Sequence, residues 1–237
     1  MTHDTRNCMK KLVIAHRGVS DLARENTLEA FQKAIDLRAD MIEFDVRRTR
    51  DHRFVIHHDP DISGKRLSDM TFLEARDRAR SMGFHVPELK EVLALARGRI
   101  GLDIELKEEG CEREIVRLVG DFLTQADFIV SSFHAGCLAR VKQSRSEVRT
   151  GLIFNDAEAL TTEILEGDTD WLLPVQSLAA GELLERMKRA GKKIAVWTVN
   201  DTEQMKRLLE DDRIEGIITD RTDAALAVRE GLEAPNG

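Results

Sequence analysis

The sequence predicts a (β/α)₈ TIM barrel in a single domain. Short apolar runs rich in Val and Ile recur along the chain, and segments with helical periodicity separate most of them. Strands and helices that alternate at a spacing of about 20–30 residues indicate parallel βα units. Eight such units in 237 residues fit a closed barrel, a fold that typically takes about 250 residues.

An open, doubly wound sheet is the alternative arrangement of the same units. No predicted strand is followed by G-x-G-x-x-G or G-x-x-x-x-G-K-[ST], so a nucleotide-phosphate fingerprint is absent from the sequence. The chain also lacks a low-complexity segment or a Gly/Ser/Pro-rich linker. We therefore expect one domain over residues 1–237, with its core at about 11–230.

The predicted strands are apolar runs of strand length with turn residues at their edges. In chain order they are residues 11–16, 41–46, 53–58, 100–106, 127–133, 149–154, 170–175, 193–199 and 216–220. We treat the run 53–58 as an extension of the second strand, which leaves eight βα units.

The predicted helices lie between these runs. In NTLEAFQKAIDL (26–37) the apolar residues recur with helical period, and Asn26 with Glu29 is typical of an N-cap and its partner. The segments EIVRLVGDFL, ELLERMKRA and TEQMKRLLE repeat this periodicity further along the chain.

Composition limits the classes of function. The chain is 42% hydrophobic and 33% charged, with a net charge of −7, which is an ordinary soluble composition. A general nucleic-acid binder carries a basic stripe, so no nucleic-acid partner is expected. A small anionic substrate stays compatible with this charge, because a local cluster of cations can oppose the overall sign.

Cysteine use and hydropathy predict a cytoplasmic protein. The three cysteines, Cys8, Cys111 and Cys137, are widely spaced and form no C-x-x-C motif, which favours a reducing compartment. The N-terminal apolar run LVIA is too short for the core of a signal peptide. No run approaches the ~20 apolar residues of a membrane span, so stable membrane insertion is not expected. The sequence predicts no oligomeric state.

Two carboxylates in the second strand suggest a metal site. Glu43 and Asp45 lie two residues apart, so on a strand they share one face, where two unpaired carboxylates would repel each other. In GLDIELK, Asp103, Glu105 and Lys107 alternate with apolar residues and share the face expected to point into the barrel. Glu105 can therefore add a third carboxylate, and three carboxylates suit a hard cation such as Mg²⁺ or Ca²⁺.

Other polar or aromatic residues also follow predicted strands, where the active site of a barrel lies. They are His16, Arg17, His57, His58, Asp59, Ser131, Ser132, Phe133, Trp197 and Asn200. Each has an ordinary structural explanation alone, such as an ion pair, a surface hydrogen bond or a core position. Their convergence at one rim favours a functional site. Strand alternation turns His57 away from the face of His58, so we expect His57 to be structural.

Several motifs in order resemble those of glycerophosphodiester phosphodiesterases. They are HRG (16–18), ENTLEAF (25–31), EFDV (43–46) after Asp40, HD (58–59), PELKEVL (87–93), IELK (104–107), SSF (131–133), WTVN (197–200) and IITD (217–220). The matches cover nearly the whole chain. The resemblance implies a TIM barrel and metal-dependent hydrolysis of a glycerophosphodiester to glycerol 3-phosphate and an alcohol such as choline or ethanolamine.

The resemblance also implies roles for individual residues. It makes Glu43, Asp45 and Glu105 the metal ligands, His16 and His58 the acid–base pair, Arg17 and Lys107 the groups that hold the phosphoryl oxygens, and Phe133 and Trp197 the residues that border the glycerol. Two histidines suit this chemistry, because one can deprotonate the nucleophile and the other can protonate the departing alcohol. We favour His58 as the acid. The nucleophile is either water or the glycerol 2-hydroxyl.

The sequence departs from the family pattern outside these residues. Asp51-His52-Arg53 replaces the frequent Asp-Gly turn, Arg221-Thr222 follows Thr219-Asp220 where a proline is frequent, and the segment 59–86 is compact. That segment bears on substrate size and headgroup preference.

Three rival functions use the same barrel. A lysophospholipase D or a phospholipase C-like enzyme needs an apolar strip or a wider groove, whereas residues 59–86 are mostly polar. A metal-dependent aldolase or lyase leaves the two histidines unexplained. A barrel that has lost catalysis is disfavoured, because every proposed catalytic position holds a competent residue.

Overall fold

Eleven strands are present among residues 10–234, the part of the chain that the computed structural model describes. In chain order they are β1 (Leu12–His16), β2 (Met41–Arg48), β3 (Phe54–Ile56), β4 (Asp61–Ile62), β5 (Lys65–Arg66), β6 (Gly101–Leu106), β7 (Phe128–Ser132), β8 (Thr150–Phe154), β9 (Trp171–Pro174), β10 (Lys193–Val196) and β11 (Gly216–Thr219). Cys8 and both ends of the predicted domain range 1–237 lie outside the described residues.

Eight of these strands close into the predicted parallel barrel. The order around the barrel is β1, β2, β6, β7, β8, β9, β10 and β11, and β11 pairs with β1 to complete the ring. The predicted fold class is therefore confirmed.

Helices follow the barrel strands in the described residues. They are α1 (Leu28–Asp36), α2 (Phe72–Ser81), α3 (Leu89–Ala96), α4 (Glu112–Gly120), α5 (Ala135–Ser144), α6 (Thr162–Glu166), α7 (Gly181–Arg189), α8 (Thr202–Glu210) and α9 (Thr222–Glu233). None of them has the length and apolar composition needed to span a membrane.

The cap of α1 lies one residue later than the sequence predicts. The hydroxyl of Thr27 accepts the hydrogen bond from the backbone N–H of Ala30, so Thr27 is the N-cap. Asn26 instead has a φ of 55° and is buried. Its side-chain amide donates a hydrogen bond to the Asp45 carboxylate.

Apolar side chains fill the barrel below its carboxyl end. The interior cluster consists of Ile14, Met41, Ile129, Ile153, Trp171, Leu173, Ala195 and Ile218. Larger clusters lie between the strands and the surrounding helices. Because the lower barrel is packed in this way, the polar residues of the strand faces collect at the carboxyl end.

The run 53–58 is not an extension of the second strand. It forms the separate strand β3, which pairs antiparallel with β2, with Val46 opposite Ile56. The connection is a tight turn in which His52 has a φ of 59° and the backbone N–H of Arg53 donates to the hydroxyl of Thr49. So short a link permits only an antiparallel return, and this return brings residues 57–59 back to the barrel mouth.

Residues 59–86 form a compact insertion beside the mouth. The hairpin of β4 and β5 is followed by a 3₁₀ turn and by α2. Ile62, Leu67, Met70 and Phe72 pack in a small core of their own, which also includes Val55 of β3. The insertion therefore rests on the β2–β3 hairpin.

Candidate active site

A cavity of about 180 Å³ lies at the carboxyl end of the barrel. Its lining residues are His16, Arg17, Glu43, His58, Asp103, Glu105, Lys107, Phe133, Ile153, Trp197 and Ile218. Eight of the nine site residues expected from the sequence are among them. The ninth, Asp45, is fully buried and contacts Lys107 of the lining. The structure therefore brings all nine residues together.

A larger groove of about 1190 Å³ lies on the outside of the barrel, between α5 and the loops that lead into β8, β9 and β10. Two of its cations, Lys142 and Lys192, already have partners. The Lys142 ammonium lies 2.8 Å from Asp170, and Lys192 donates to the carbonyl oxygens of Gly167 and Thr169. None of the predicted site residues lines this groove, so we place the chemistry in the smaller cavity.

Strand register assembles the three carboxylates. Asp45 on β2 stands beside Glu105 on β6, and Glu43 stands beside Asp103. One oxygen from each of Glu43, Asp45 and Glu105 lies within 4.8 Å of the others, and all three side chains are buried. Buried carboxylates this close repel each other unless a cation lies among them.

The pKa values of the three carboxyl groups are shifted in different directions. Burial, together with the charges of Asp45 and Glu105, raises the pKa of Glu43 well above its usual range. Burial also raises the pKa of Glu105 to about 7, although Lys107 opposes the shift. Burial acts upward on Asp45 as well, but Lys107 and Arg17 outweigh it and lower the pKa of Asp45 to about 2. Asp45 is thus the firmly ionised member of the group.

Lys107 lies closer to the carboxylates than the sequence suggested. Its ammonium is 2.9 Å from Asp45 and 2.5 Å from Glu105, whereas the family resemblance implies that it holds phosphoryl oxygens. The side chain is largely buried and still reaches the cavity wall. Its charge therefore acts both on the carboxylates and on the cavity.

The donor set fits a hard divalent cation. All three candidate ligands are carboxylates, which Mg²⁺ and Ca²⁺ prefer. Within the described residues, Glu43 Oε1 is buried and accepts no hydrogen bond. A buried carboxylate oxygen without a donor is costly, and coordination to a cation would satisfy it.

A carboxylate orients His16. His16 Nδ1 lies 2.6 Å from Asp220 Oδ1, and Asp220 also accepts hydrogen bonds from Asn200 Nδ2 (2.6 Å) and Ser20 Oγ (3.0 Å). Burial alone would raise the pKa of Asp220, but the bonds from His16 and Asn200 lower it to about 2. An ionised acceptor fixes the Nδ1–H tautomer, so Nε2 presents its lone pair, 3.8 Å from Glu43.

His58 is held differently. It follows β3 on an irregular segment, and its side chain is 38% exposed at the rim. Its Nδ1 lies 2.9 Å from the exposed Asp59. The neighbouring His57 turns away, as expected, and stacks on Phe84 at 6.2 Å between ring centroids.

The β1–α1 loop shapes the polar side of the cavity. Arg17 has a φ of 55°, and its backbone N–H donates to Glu43 Oε2 at 3.0 Å. Its guanidinium lies 3.3 Å from Asp45 and donates twice to Glu25. Gly18 has a φ of 86°, and a Cβ there would lie 2.7 Å from the Ala30 side chain. The HRG motif is therefore both a required turn and a source of charge.

The opposite wall is apolar. Phe133 and Trp197 make an edge-to-face pair with centroids 5.6 Å apart. The indole N–H of Trp197 donates to the Leu173 carbonyl at 2.7 Å, which fixes its ring. Ile153 and Ile218 also line the cavity. A ligand of this cavity therefore meets charge on one side and hydrocarbon on the other.

Three residues of the site were given no functional role from the sequence. Asn26 donates from Nδ2 to Asp45 Oδ2 at 2.7 Å, Asp220 orients His16, and Asp103 is a fourth buried carboxyl group in the cavity. Burial raises the pKa of Asp103 to about 7. Asn26 and Asp220 lie in ENTLEAF and IITD, two of the motifs that carried the family resemblance. Their place in these motifs is the sequence signal that could have marked them as site residues. Asp103 shares its strand face with Glu105.

Comparisons with known proteins point to one family. The sequence model of the glycerophosphoryl diester phosphodiesterase family matches residues 16–224. A glycerophosphodiester phosphodiesterase of Caldanaerobacter subterraneus is 31% identical in an alignment 243 residues long. The alignment covers 94% of this chain and 100% of that protein.

Two solved structures are similar over nearly their full length. A glycerophosphodiester phosphodiesterase from Thermotoga maritima is 27% identical, with a TM-score of 0.77, and the match covers 92% of this chain and 98% of that one. A phosphodiesterase from Oleispira antarctica, solved in complex with the product sn-glycerol-3-phosphate, is 25% identical with a TM-score of 0.83, and the match covers 92% and 96%. Since the family match spans most of the sequence and the barrel is the same, the chain belongs to the glycerophosphoryl diester phosphodiesterase family and is a hydrolase of phosphoric diesters.

Proposed function

We propose that this protein hydrolyses small glycerophosphodiesters to glycerol 3-phosphate and an alcohol, with Mg²⁺ or Ca²⁺ as its cofactor. The observation that carries the proposal is the buried cluster of Glu43, Asp45 and Glu105 beside two histidines on one cavity. Membership of the family supports this substrate class, and the relative from Oleispira antarctica was solved with sn-glycerol-3-phosphate as its product.

The three carboxylates would hold the cation, and Arg17 and Lys107 add positive charge beside it. When bound, the cation neutralises charge on the non-bridging oxygens of the phosphodiester. Arg17 and Lys107 act on the same oxygens, since both line the cavity. Their charges lie in a largely buried site, where such stabilisation is stronger than in water.

We assign the general base to His16 and the general acid to His58. Asp220 holds the proton of His16 on Nδ1, so Nε2 is free to take a proton from the nucleophile. His58 lies at the rim, where the departing alcohol can leave to solvent. Phe133 and Trp197 would border the glycerol.

The nucleophile is water or the glycerol 2-hydroxyl. Attack by water releases glycerol 3-phosphate directly, whereas attack by the hydroxyl forms a five-membered cyclic phosphate that water then opens. Phosphorus NMR during turnover distinguishes the two routes, because only the second gives a cyclic intermediate.

The exposed surface of the insertion, residues 59–86, favours a small diester over a lysophospholipid. In the insertion, Leu73 and Met82 are the large apolar side chains exposed to solvent. They lie nine residues apart, at opposite ends of α2, and helical geometry places them on opposite sides. They therefore form no continuous strip for an acyl chain.

We also propose that the whole chain acts as one domain in the cytoplasm. Cys111 and Cys137 are free thiols among the described residues, which suits a reducing compartment. The partner would be the small diester alone, without nucleic acid.

The test is release of glycerol 3-phosphate from glycerophosphocholine. We would treat the protein with EDTA, restore Mg²⁺, Ca²⁺ or Mn²⁺, and measure turnover. We expect metal-restored activity that falls about 10²–10⁴-fold in His58→Ala, because general acid catalysis is worth about that much. His85→Ala is the matched control, since His85 is exposed and lies outside the cavity. Metal binding without turnover of this diester would contradict the substrate class, and unchanged activity in His58→Ala would contradict the role of that histidine.

A further inference from the structure

The position of His58 depends on more than its own loop. β3 ends at Ile56, and β4 begins only at Asp61, so His58 lies on an irregular segment. Its ring has a hydrogen bond to Asp59, which is the next residue of that segment and is itself exposed. A partner on the same loop cannot fix the loop relative to the barrel.

Two contacts join this loop to β2. The backbone N–H of His57 donates to the Asp45 carbonyl at 3.0 Å, and a largely buried arginine reaches His58 itself. Arg47 Nε donates to the backbone carbonyl of His58 at 2.8 Å, and Arg47 Nη1 donates to Glu108 Oε1 at 3.1 Å. The Arg47 side chain is only 12% exposed. It belongs to β2, the strand that also carries Glu43 and Asp45.

Glu108 fixes the guanidinium in turn. Its second oxygen, Oε2, accepts a hydrogen bond from the backbone N–H of Arg48 at 3.1 Å. The Arg47 guanidinium is thus held between the His58 carbonyl and the Glu108 carboxylate. The other oxygen of that carboxylate is bound to the backbone of β2. Charge-assisted bonds of this kind are stronger than neutral ones, and the planar guanidinium gives them direction.

We infer that Arg47 is a positioning residue for His58. It contacts neither the carboxylate cluster nor the cavity, and it acts through the backbone of the loop that carries the proposed acid. This inference rests on the proposed function, because it takes His58 as the proton donor to the departing alcohol. It explains how a partly exposed loop residue stays aligned with a site built on barrel strands.

Arg47→Ala tests the inference. We expect kcat to fall about 10- to 100-fold, because a displacement of about 1 Å at a catalytic group costs up to about 10²-fold. We expect KM and the affinity for Mg²⁺ measured by calorimetry to change less than about threefold, since the metal and phosphoryl contacts stay in place. Arg47→Lys should lose less than Arg47→Ala, because an ammonium can still reach one of the two acceptors.

Arg50 offers a matched control. It too donates to a backbone carbonyl, that of Asp69, and to a glutamate, Glu74, but it lies away from the cavity and is exposed. Arg50→Ala should therefore retain the wild-type kcat within about twofold.

The decisive measurement repeats Arg47→Ala in the His58→Ala background. If Arg47 acts through His58, the second substitution should lower the residual kcat less than about threefold, because the group it positions is gone. A loss of 10-fold or more in both backgrounds would overturn the inference, and so would a parallel loss of Mg²⁺ affinity. Wild-type activity in His58→Ala alone would instead overturn the proposed role of His58. If Arg47→Ala does not fold, Arg47→Lys and Glu108→Gln in the same two backgrounds give the same comparison.

Discussion

Replacing Glu43 with glutamine should weaken metal binding while leaving the metal-free protein at least as stable. Glutamine keeps the shape of the side chain and an oxygen that can accept the bond from the Arg17 N–H. It removes one negative charge from a buried group of carboxylates whose oxygens lie within 4.8 Å of one another. The two effects have opposite signs, and both follow from the same charge.

The loss of metal affinity can be estimated for an ionised Glu43. Two unit charges at 4 Å attract by about 1 kcal/mol with the dielectric constant of bulk water, so a divalent cation loses about 2 kcal/mol with the carboxylate. That corresponds to about a 30-fold weaker Kd at a pH where Glu43 is ionised without metal. At a metal concentration of about 100 times the wild-type Kd, the stabilisation falls from about 2.7 to about 0.9 kcal/mol.

Thermal unfolding of the EDTA-treated protein, with and without metal, measures this difference. For a chain of this size, 1 kcal/mol shifts Tm by about 2–4 °C. We therefore expect Mg²⁺ or Ca²⁺ to raise the wild-type Tm by about 5–11 °C and that of Glu43→Gln by about 2–4 °C under the same conditions. Glu29→Gln, at an exposed position of α1, should respond like the wild type.

The metal-free comparison also depends on pH. Burial and the neighbouring carboxylates raise the pKa of Glu43, so the folded wild type holds more protons than the unfolded chain above about pH 4.3. The contribution of this group to the free energy of unfolding therefore falls as pH rises above the pKa of the unfolded chain. Glutamine has no proton to lose. Without metal, the Tm of Glu43→Gln minus the Tm of the wild type should therefore increase as pH rises.

Two outcomes would refute this reasoning. The first is a full wild-type metal shift in Glu43→Gln, which would remove Glu43 from the ligands. The second is a metal-free Glu43→Gln that loses stability relative to the wild type as pH rises, which would mean that the carboxylate is stabilised by a partner in the fold.

Three further predictions test the groups around the metal cluster. Asp220→Asn should lower kcat about 10- to 100-fold with little change in KM, since the Nδ1–H tautomer of His16 loses its ionised acceptor; an unchanged kcat would contradict the orienting role. Asn26→Ala should lower the free energy of unfolding by about 1–3 kcal/mol, because a hydrogen bond to the buried Asp45 carboxylate disappears; chemical denaturation measures this loss, and an unaltered midpoint would argue against it. Phe133→Ala should raise KM about three- to tenfold with kcat retained, since the aromatic wall contributes binding rather than charge; a fall in kcat at constant KM would contradict that division.

The sequence by itself determined the fold class and most of the site. The apolar runs predicted the eight barrel strands, and strand alternation placed Glu43, Asp45 and Glu105 on inward faces. Both conclusions depend on local periodicity, which can be read from the sequence without knowing which strands become neighbours. His57 also lies away from the cavity, as expected, but β3 ends at Ile56 and strand alternation therefore does not set its direction.

The tertiary structure decided which distant groups meet. His16 and Asp220 are 204 residues apart and come together only because β11 closes on β1. The antiparallel return of β3 and the contact of Arg47 with His58 depend on a turn whose direction periodicity does not encode. Asn26 resembles a helix cap in sequence, yet its positive φ points it at Asp45. Local pattern fixes the face on which a side chain lies, whereas barrel closure and loop direction fix the partner that it finds there.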